Sequence, residues 1–268
     1  MPPVSVKDAL ERVLEGLSPL GVERVQLGRA AGRVLATDLT ATLTQPPFDA
    51  SAMDGYAVRA ADVARLPQTL SLVGRSIAGA RYDGSLEPGQ AVRIFTGAPV
   101  PEGADTIAIQ EDAEERGESV LIKSTPPERY IRQRGQDFKE GDRLLTAGTC
   151  LGARSLMLAA AMNYAELPVR MRPRVAILST GDELLEPGSG LGPDQIVASV
   201  SFGIAALVAA SGGEPVHLGI APDDERAITD AIAHGAGADI LVAGSAVFGS
   251  PDYAAMIASL RGETGSGA

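Results

Sequence analysis

The chain has 268 residues, 45% of them hydrophobic and 21% charged, which suits a folded protein of two domains or three small ones. Its formal net charge of −11 excludes nucleic acid and anionic membrane as main partners, since both call for basic patches. The single cysteine, Cys150, excludes an internal disulfide and a cysteine metal cluster, and the two histidines, His217 and His234, exclude a multi-histidine metal centre. Any metal is expected to be a hard ion held by oxygens, with Mg2+ the natural candidate. The first residues lack the basic and apolar regions of a signal peptide, and no apolar run reaches about 18 residues. A soluble, cytoplasmic protein is expected.

Taken in order, Ser5 caps a helix that carries Asp8 near its positive end and Val6, Leu10, Val13, Leu14 and Leu17 along one face. Ser18, Pro19 and Gly21 stop it. Val22–Leu27 alternates like a short strand, and Arg29–Ala36 reads as another helical turn or two. Pro46 and Pro47 then open a stiff loop, Pro46–Tyr56, with Asp49 and Asp54 five residues apart and Gly55 free to take positive φ or let a ligand approach. By itself this loop reads first as a Pro/Gly turn with solvated carboxylates.

From Gly55 to about Asp137, short β-prone runs (Leu70–Val73, Ala91–Phe95, Thr106–Gln110, Ser119–Ile122) lie between Gly, Pro and Asp clusters, as in a small, mostly β domain. A rigid loop, Thr96–Asp105, interrupts them, and Arg132–Asp137 sets two arginines beside an aspartate, either as an anion clamp or as a surface ion pair. Leu151–Glu166 reads as a helix and Pro168–Pro173 as a linker. Beyond it come strand Arg174–Ser179, helix Ser199–Ala210, strand Glu214–Ile220, helix Asp224–His234, strand Asp239–Ala243 and helix Asp252–Leu260. Such alternation predicts a doubly wound parallel sheet, with ligands expected beyond the C-terminal ends of its strands.

Three loops meet that description, Ser179–Glu183, Pro222–Asp224 and Gly244–Asp252, and each brings at least one carboxylate to the same edge. Any one carboxylate by itself reads as a helix cap before it reads as a ligand, Asp224 most plainly. The third loop has the outline of a phosphate-binding loop without its lysine, which argues against a nucleotide triphosphatase while leaving backbone N–H groups for a phosphate. All three lysines, Lys7, Lys123 and Lys139, lie in the first 139 residues.

Five stretches carry a resemblance: Phe48–Val58, Arg93–Asp105, Arg134–Asp137, Ser179–Leu184 and Gly219–Asp224. In these the chain resembles the molybdopterin molybdenumtransferase family, the MoeA/gephyrin E-domain proteins. The resemblance implies a discontinuous elongated segment for dimerisation (1–45 and 137–170), a mostly β domain (46–136) and a molybdopterin-binding α/β domain (171–268). It implies a homodimer that converts adenylylated molybdopterin and molybdate to molybdenum cofactor and AMP with Mg2+. Asp54, Thr96, Asp137, Glu183 and Asp223 would then be catalytic. Thr180, Gly181, Asp182, Gly244, Ser245, Gly249 and Asp252 would bind substrate, and Glu183, Asp223 and Asp252 would hold the metal. The chain departs from the family at Ala243–Gly249, where Phe248 stands in a loop usually rich in Gly and Ser. The family's lysine-bearing segment and C-terminal β domain are expected to be absent from these 268 residues. The alternative is a non-catalytic homologue that binds molybdopterin or acts as a scaffold, a choice favoured by Phe248 and by the lack of lysine after Lys139.

Overall fold

The computed structural model describes residues 5–14, 17–124, 129–234, 237 and 239–243, which fall into two compact units. A β-rich unit comprises 37–149 and 153–165, and the described part of an α/β unit lies within 5–36, 150–152 and 166–243. The expected helix Asp252–Leu260 and the loop Gly244–Asp252 lie outside the described residues.

The β-rich unit is built on a six-stranded sheet ordered Thr106–Ile109, Gly55–Val58, Gln90–Ile94, Gln68–Ser76, Ser119–Ile122, Ala113–Arg116. Its pairs are antiparallel except for the parallel Gln68–Ser76 and Gln90–Ile94. Alternation along the strands sends Tyr56, Val58, Leu70, Ala91, Ala108, Val120 and Ile122 into one apolar cluster. The intervening Ala57, Val92, Ile94 and Ile107 join Leu86 and Ala98 in another. Both faces are therefore covered, and Gly55–Val58 is buried at all four positions. Gly55 is not at positive φ. The glycine is needed because a Cβ there would lie 2.1 Å from the Ala108 carbonyl oxygen of the neighbouring strand. The approach it permits is thus to the protein's own backbone, in place of the ligand approach expected from the sequence.

In the same unit, Leu39–Thr40 pairs antiparallel with Arg143–Leu145. The helix expected over Leu151–Glu166 is shorter, Ala153–Ala161. Asn163 ends it at φ 71°, with Asn163 N–H donating to Ala160 O and Tyr164 N–H to Ala159 O at 2.9 and 3.0 Å. These are the two bonds that close a helix on a left-handed residue.

In the α/β unit, helix Val6–Leu14 begins as its cap predicts, with the Asp8 amide donating to Ser5 Oγ at 3.1 Å. Strand Val22–Gln26 pairs antiparallel with Glu166–Arg170, so the segment expected as a linker is a strand. Pro168 gives up only its own donor: its carbonyl still accepts the Ala36 N–H at 2.9 Å, and the strand is flanked by Val22–Gln26 on one side and by Leu35, opposite Val169, on the other. The helical turns expected over Arg29–Ala36 reduce to a 3-10 turn, Leu27–Arg29. The backbone of the following residues bonds to distant partners: Gly32 N–H to Leu151 O, Leu151 N–H to Arg33 O, Ala36 N–H to Pro168 O and Arg170 N–H to Val34 O.

The parallel sheet has the order Glu214–Ala221, Arg174–Thr180, Ile240–Ala243 among the described residues. The central strand is buried from Val175 to Leu178, as a strand covered on both sides should be. Helices Val200–Ala210 and Glu225–His234 pack on it. Asp224 caps the second, its Oδ1 accepting the Ala227 N–H at 2.9 Å.

Gly55→Ala is expected to cost at least about 2 kcal/mol, because the new methyl meets unyielding backbone. Gly152→Ala, with open space at its Cβ position, should stay within about 0.5 kcal/mol of the parent. Urea denaturation of both variants measures this, and an unchanged Gly55→Ala midpoint would contradict the close approach.

Candidate functional site

Three segments of the β-rich unit converge on the two-residue strand Ala50–Ser51. On one side Ser51 lies opposite Ile131 and Ala50 opposite Arg132 in an antiparallel pair. On the other side the 95–100 turn closes against it. Ser51 N–H donates to Ala98 O at 2.9 Å, Gly97 N–H to Ser51 O at 2.8 Å and Val100 N–H to Asp49 O at 2.9 Å. Gly97 sits at φ 80°, which the turn requires.

This zipper brings Asp54 and Thr96 together, 42 residues apart in sequence. Asp54 Oδ1 accepts the Thr96 amide at 2.8 Å and the Thr96 hydroxyl at 2.7 Å, and the Asp54 main-chain carbonyl accepts the Gln110 N–H at 3.1 Å. The Thr96 amide, then its hydroxyl and also the positive charge of Arg93 hold the Asp54 carboxyl below the ordinary carboxylate range. Asp54 is only half-buried, so it is an ionised carboxylate open to solvent on a fixed backbone.

The third expected residue, Asp137, is engaged differently. Both of its oxygens accept from Arg132 Nη2, at 2.7 and 2.9 Å, so of the two roles left open for Arg132 the structure displays the ion pair. Arg134 donates its amide to Asp49 Oδ1 at 2.7 Å and its Nε–H to Pro47 O at 3.1 Å. Asp49 and Arg134 thus hold the Pro46–Tyr56 loop to the 132–137 segment.

The α/β unit carries a second group. In the parallel register Thr180 lies opposite Ala221, so the loops after both strands leave the same edge. Gly181 N–H donates to Ala221 O at 3.1 Å, and the Asp223 amide donates to Asp182 Oδ1 at 3.3 Å, tying one loop to the other. Gly181 sits at φ 149°, and a Cβ there would lie 2.6 Å from Glu183 Oε2, so the glutamate carboxylate folds back over the glycine. Thr180 is buried, while Asp182, Glu183 and Asp223 are exposed. These are oxygen donors suited to a hard cation such as Mg2+. No three carboxylate, imidazole or thiol groups cluster closely enough to hold a metal among the described residues. Asp252, Gly244, Ser245 and Gly249 lie outside them.

Arg93 reads in the sequence only as one letter of a motif. Its register position opposite Tyr56 is what brings it to the site. Only the strand pairing, fixed by residues far along the chain, reveals that.

A pH titration tests the state of Asp54. Its folded-state pKa lies below the unfolded value of about 3.9. The stability it contributes is therefore complete above that value and lost as pH falls through the lower one. Thr96→Val deletes the hydroxyl and keeps the amide, so Asp54 is expected to titrate at higher pH than in the parent. Carboxyl-carbon NMR reads both, and an Asp54 titrating in the ordinary range in the parent would refute the assignment.

Known proteins share this sequence over nearly its whole length. Residues 4–163 match the profile described as "MoeA N-terminal region (domain I and II)", and residues 176–263 match "Probable molybdopterin binding domain". The molybdopterin molybdenumtransferase of Nostoc sp. is 42% identical over 90% of this chain and 57% of its own length. That of Haemophilus influenzae is 36% identical over 93% of this chain and 63% of its own. The chain thus spans about three fifths of the length of these curated relatives. The crystal structure of a molybdopterin biosynthesis MoeA protein from Pyrococcus horikoshii superposes with a TM-score of 0.80 at 30% identity, covering 95% of this chain and 66% of that one. The N-terminal profile alone spans more than half of the sequence, and on that ground the chain belongs to the MoeA family.

Proposed function

We propose that the chain acts in molybdenum cofactor biosynthesis, inserting molybdate into adenylylated molybdopterin with Mg2+ and releasing AMP. The observation that carries this is the agreement, over nine tenths of its length, with molybdopterin molybdenumtransferases. On this reading Asp54, Thr96, Asp137, Glu183 and Asp223 act on the substrate. Thr180, Gly181, Asp182, Gly244, Ser245, Gly249 and Asp252 bind it, and Glu183, Asp223 and Asp252 hold the metal. The working form is a cytoplasmic homodimer, with a dimerisation segment (1–45 and 137–170), a β domain (46–136) and a doubly wound α/β domain (171–268).

The chemistry of the residues supports such roles. Thr96 occupies one oxygen of Asp54, so Oδ2 is the atom available to accept a proton or orient water or molybdate. Mg2+ held at the sheet edge would offset phosphate charge and polarise the phosphoanhydride. Glu183 and Asp223 also need that counter-charge, because exposed carboxylates alone repel an anionic substrate. A non-catalytic, molybdopterin-binding role is the second reading, and Phe248, in a loop usually rich in Gly and Ser, favours it.

Molybdate-dependent AMP release from adenylylated molybdopterin by the purified chain separates the two. Turnover rules out the non-catalytic role, and its absence with Mg2+ present removes catalysis by this chain. Where turnover occurs, Asp54→Asn is expected to lower it by about 100-fold or more with an unchanged circular dichroism spectrum. A fully active Asp54→Asn protein would exclude Asp54 from the reaction.

A further inference from the structure

Arg93 is a half-buried cation in an unusual setting. Its guanidinium carbon lies 4.9 Å from the centre of the Tyr56 ring and 4.8 Å from that of Phe95, within the range where aromatic faces attract a cation. Its Nη1 donates to the Gly55 carbonyl at 2.9 Å and its Nη2 to Gln110 Oε1 at 2.8 Å. Among the described residues no carboxylate lies within ion-pair distance of it. The groups this guanidinium bonds to and stacks on are all neutral, and its charge acts on the Asp54 carboxylate from beyond ion-pair distance.

Those partners are also what fix the Asp54 backbone. Gly55 follows Asp54 directly, and Gln110 donates its amide to the Asp54 carbonyl at 3.1 Å. Thr96, whose amide and hydroxyl hold the Asp54 carboxylate, lies three residues beyond Arg93, with Phe95 between them. We propose that Arg93 is a positioning residue for Asp54: gripped between Tyr56 and Phe95, its guanidinium pins the Gly55 carbonyl and the Gln110 side chain beside Asp54 and keeps the carboxylate aimed along the Thr96 donors. Its relevance to turnover rests on the function proposed above, while its action on Asp54 does not.

Arginine is suited to this because it can stack on two rings and donate in two directions from one plane. Lysine keeps the charge and loses the two-point grip. Around the guanidinium the titratable groups are Asp54 and Tyr56, with Glu115 accepting from the Tyr56 hydroxyl at 2.9 Å. Tyr56 is displaced upward, by burial first and by its bond to Glu115 next, and the Asp54 carboxyl, which the Arg93 charge itself helps to lower, is the group whose titration is followed.

The test uses the whole chain as Arg93→Gln and Arg93→Lys, with two readouts. Carboxyl-carbon and amide NMR follow the Asp54 titration and the Thr96 amide without reference to any activity. Arg93→Gln is expected to move the Asp54 titration toward the ordinary carboxylate range and to displace the Thr96 amide resonance. Arg93→Lys should leave the titration near the parent and still displace the amide. Where the parent turns over, kcat of Arg93→Gln should fall about tenfold or more with KM within about twofold, at an unchanged circular dichroism spectrum. Failure of the parent to turn over counts against the proposed function alone, and the NMR readout then decides on Arg93. A folded Arg93→Gln with the parent's Asp54 titration and Thr96 amide shift overturns the proposal. Should Arg93→Gln not fold, Phe95→Leu removes one face of the grip and is followed by the same two NMR readouts. A parent-like titration and amide shift in that variant overturn the proposal equally.

Discussion

The near-contact of Gly55 with the Ala108 carbonyl governs the β-rich unit. Without a side chain at that position, strand Gly55–Val58 lies close against Thr106–Ile109 and still pairs with Gln90–Ile94 on its other flank. Register follows from that approach. It puts Tyr56 opposite Arg93 and Gly55 opposite Ile94, which leads the chain into Thr96 just where Asp54 precedes the neighbouring strand. A carboxylate can be aimed only as well as its backbone is held. Here the holding is done by a buried strand that tolerates no other residue at its first position.

Much of this is legible in the sequence, in a selective way. Local signals with one partner read correctly: Ser5 with Asp8 at the first helix, Asp224 at the last described one, and the alternating strands of the β-rich unit. Signals whose meaning depends on a remote partner do not. Pro168 reads as a breaker until its strand is known to pair with Val22–Gln26, and Arg29–Ala36 loses its helix because its amides and carbonyls are claimed by residues 150–170. Gly55 stands out in the sequence, but nothing local says that its close neighbour is Ala108. Asp54 and Thr96 both belong to recognisable motifs, yet their bond to one another emerges only once the strands are paired.

The charge pattern divides between the units. In the β-rich unit the carboxylates of the candidate site are met by nearby donors: Asp49 by the Arg134 amide, Asp137 by Arg132 and Asp54 by Thr96 with Arg93 behind it. At the sheet edge of the α/β unit, Asp182, Glu183 and Asp223 are exposed, and Asp182 is met by a backbone amide rather than a cation. The first arrangement is finished by the chain itself. In the second, no three such groups lie close enough to hold a metal among the described residues.

Strand Val22–Gln26 finds its partner in Glu166–Arg170, so a strand made early in synthesis waits for one made far later. Long loops close at an entropic cost that grows only with the logarithm of their length, but they close slowly. The β-rich unit relieves this, since Leu39–Thr40 pairs with Arg143–Leu145 and brings the two ends of the intervening chain together. Once that unit has folded, the separation to be bridged falls to residues 27–38 on one side and 146–165 on the other. A ribosome releasing the chain would therefore see the middle fold first and the two-stranded sheet of the α/β unit snap shut around its return.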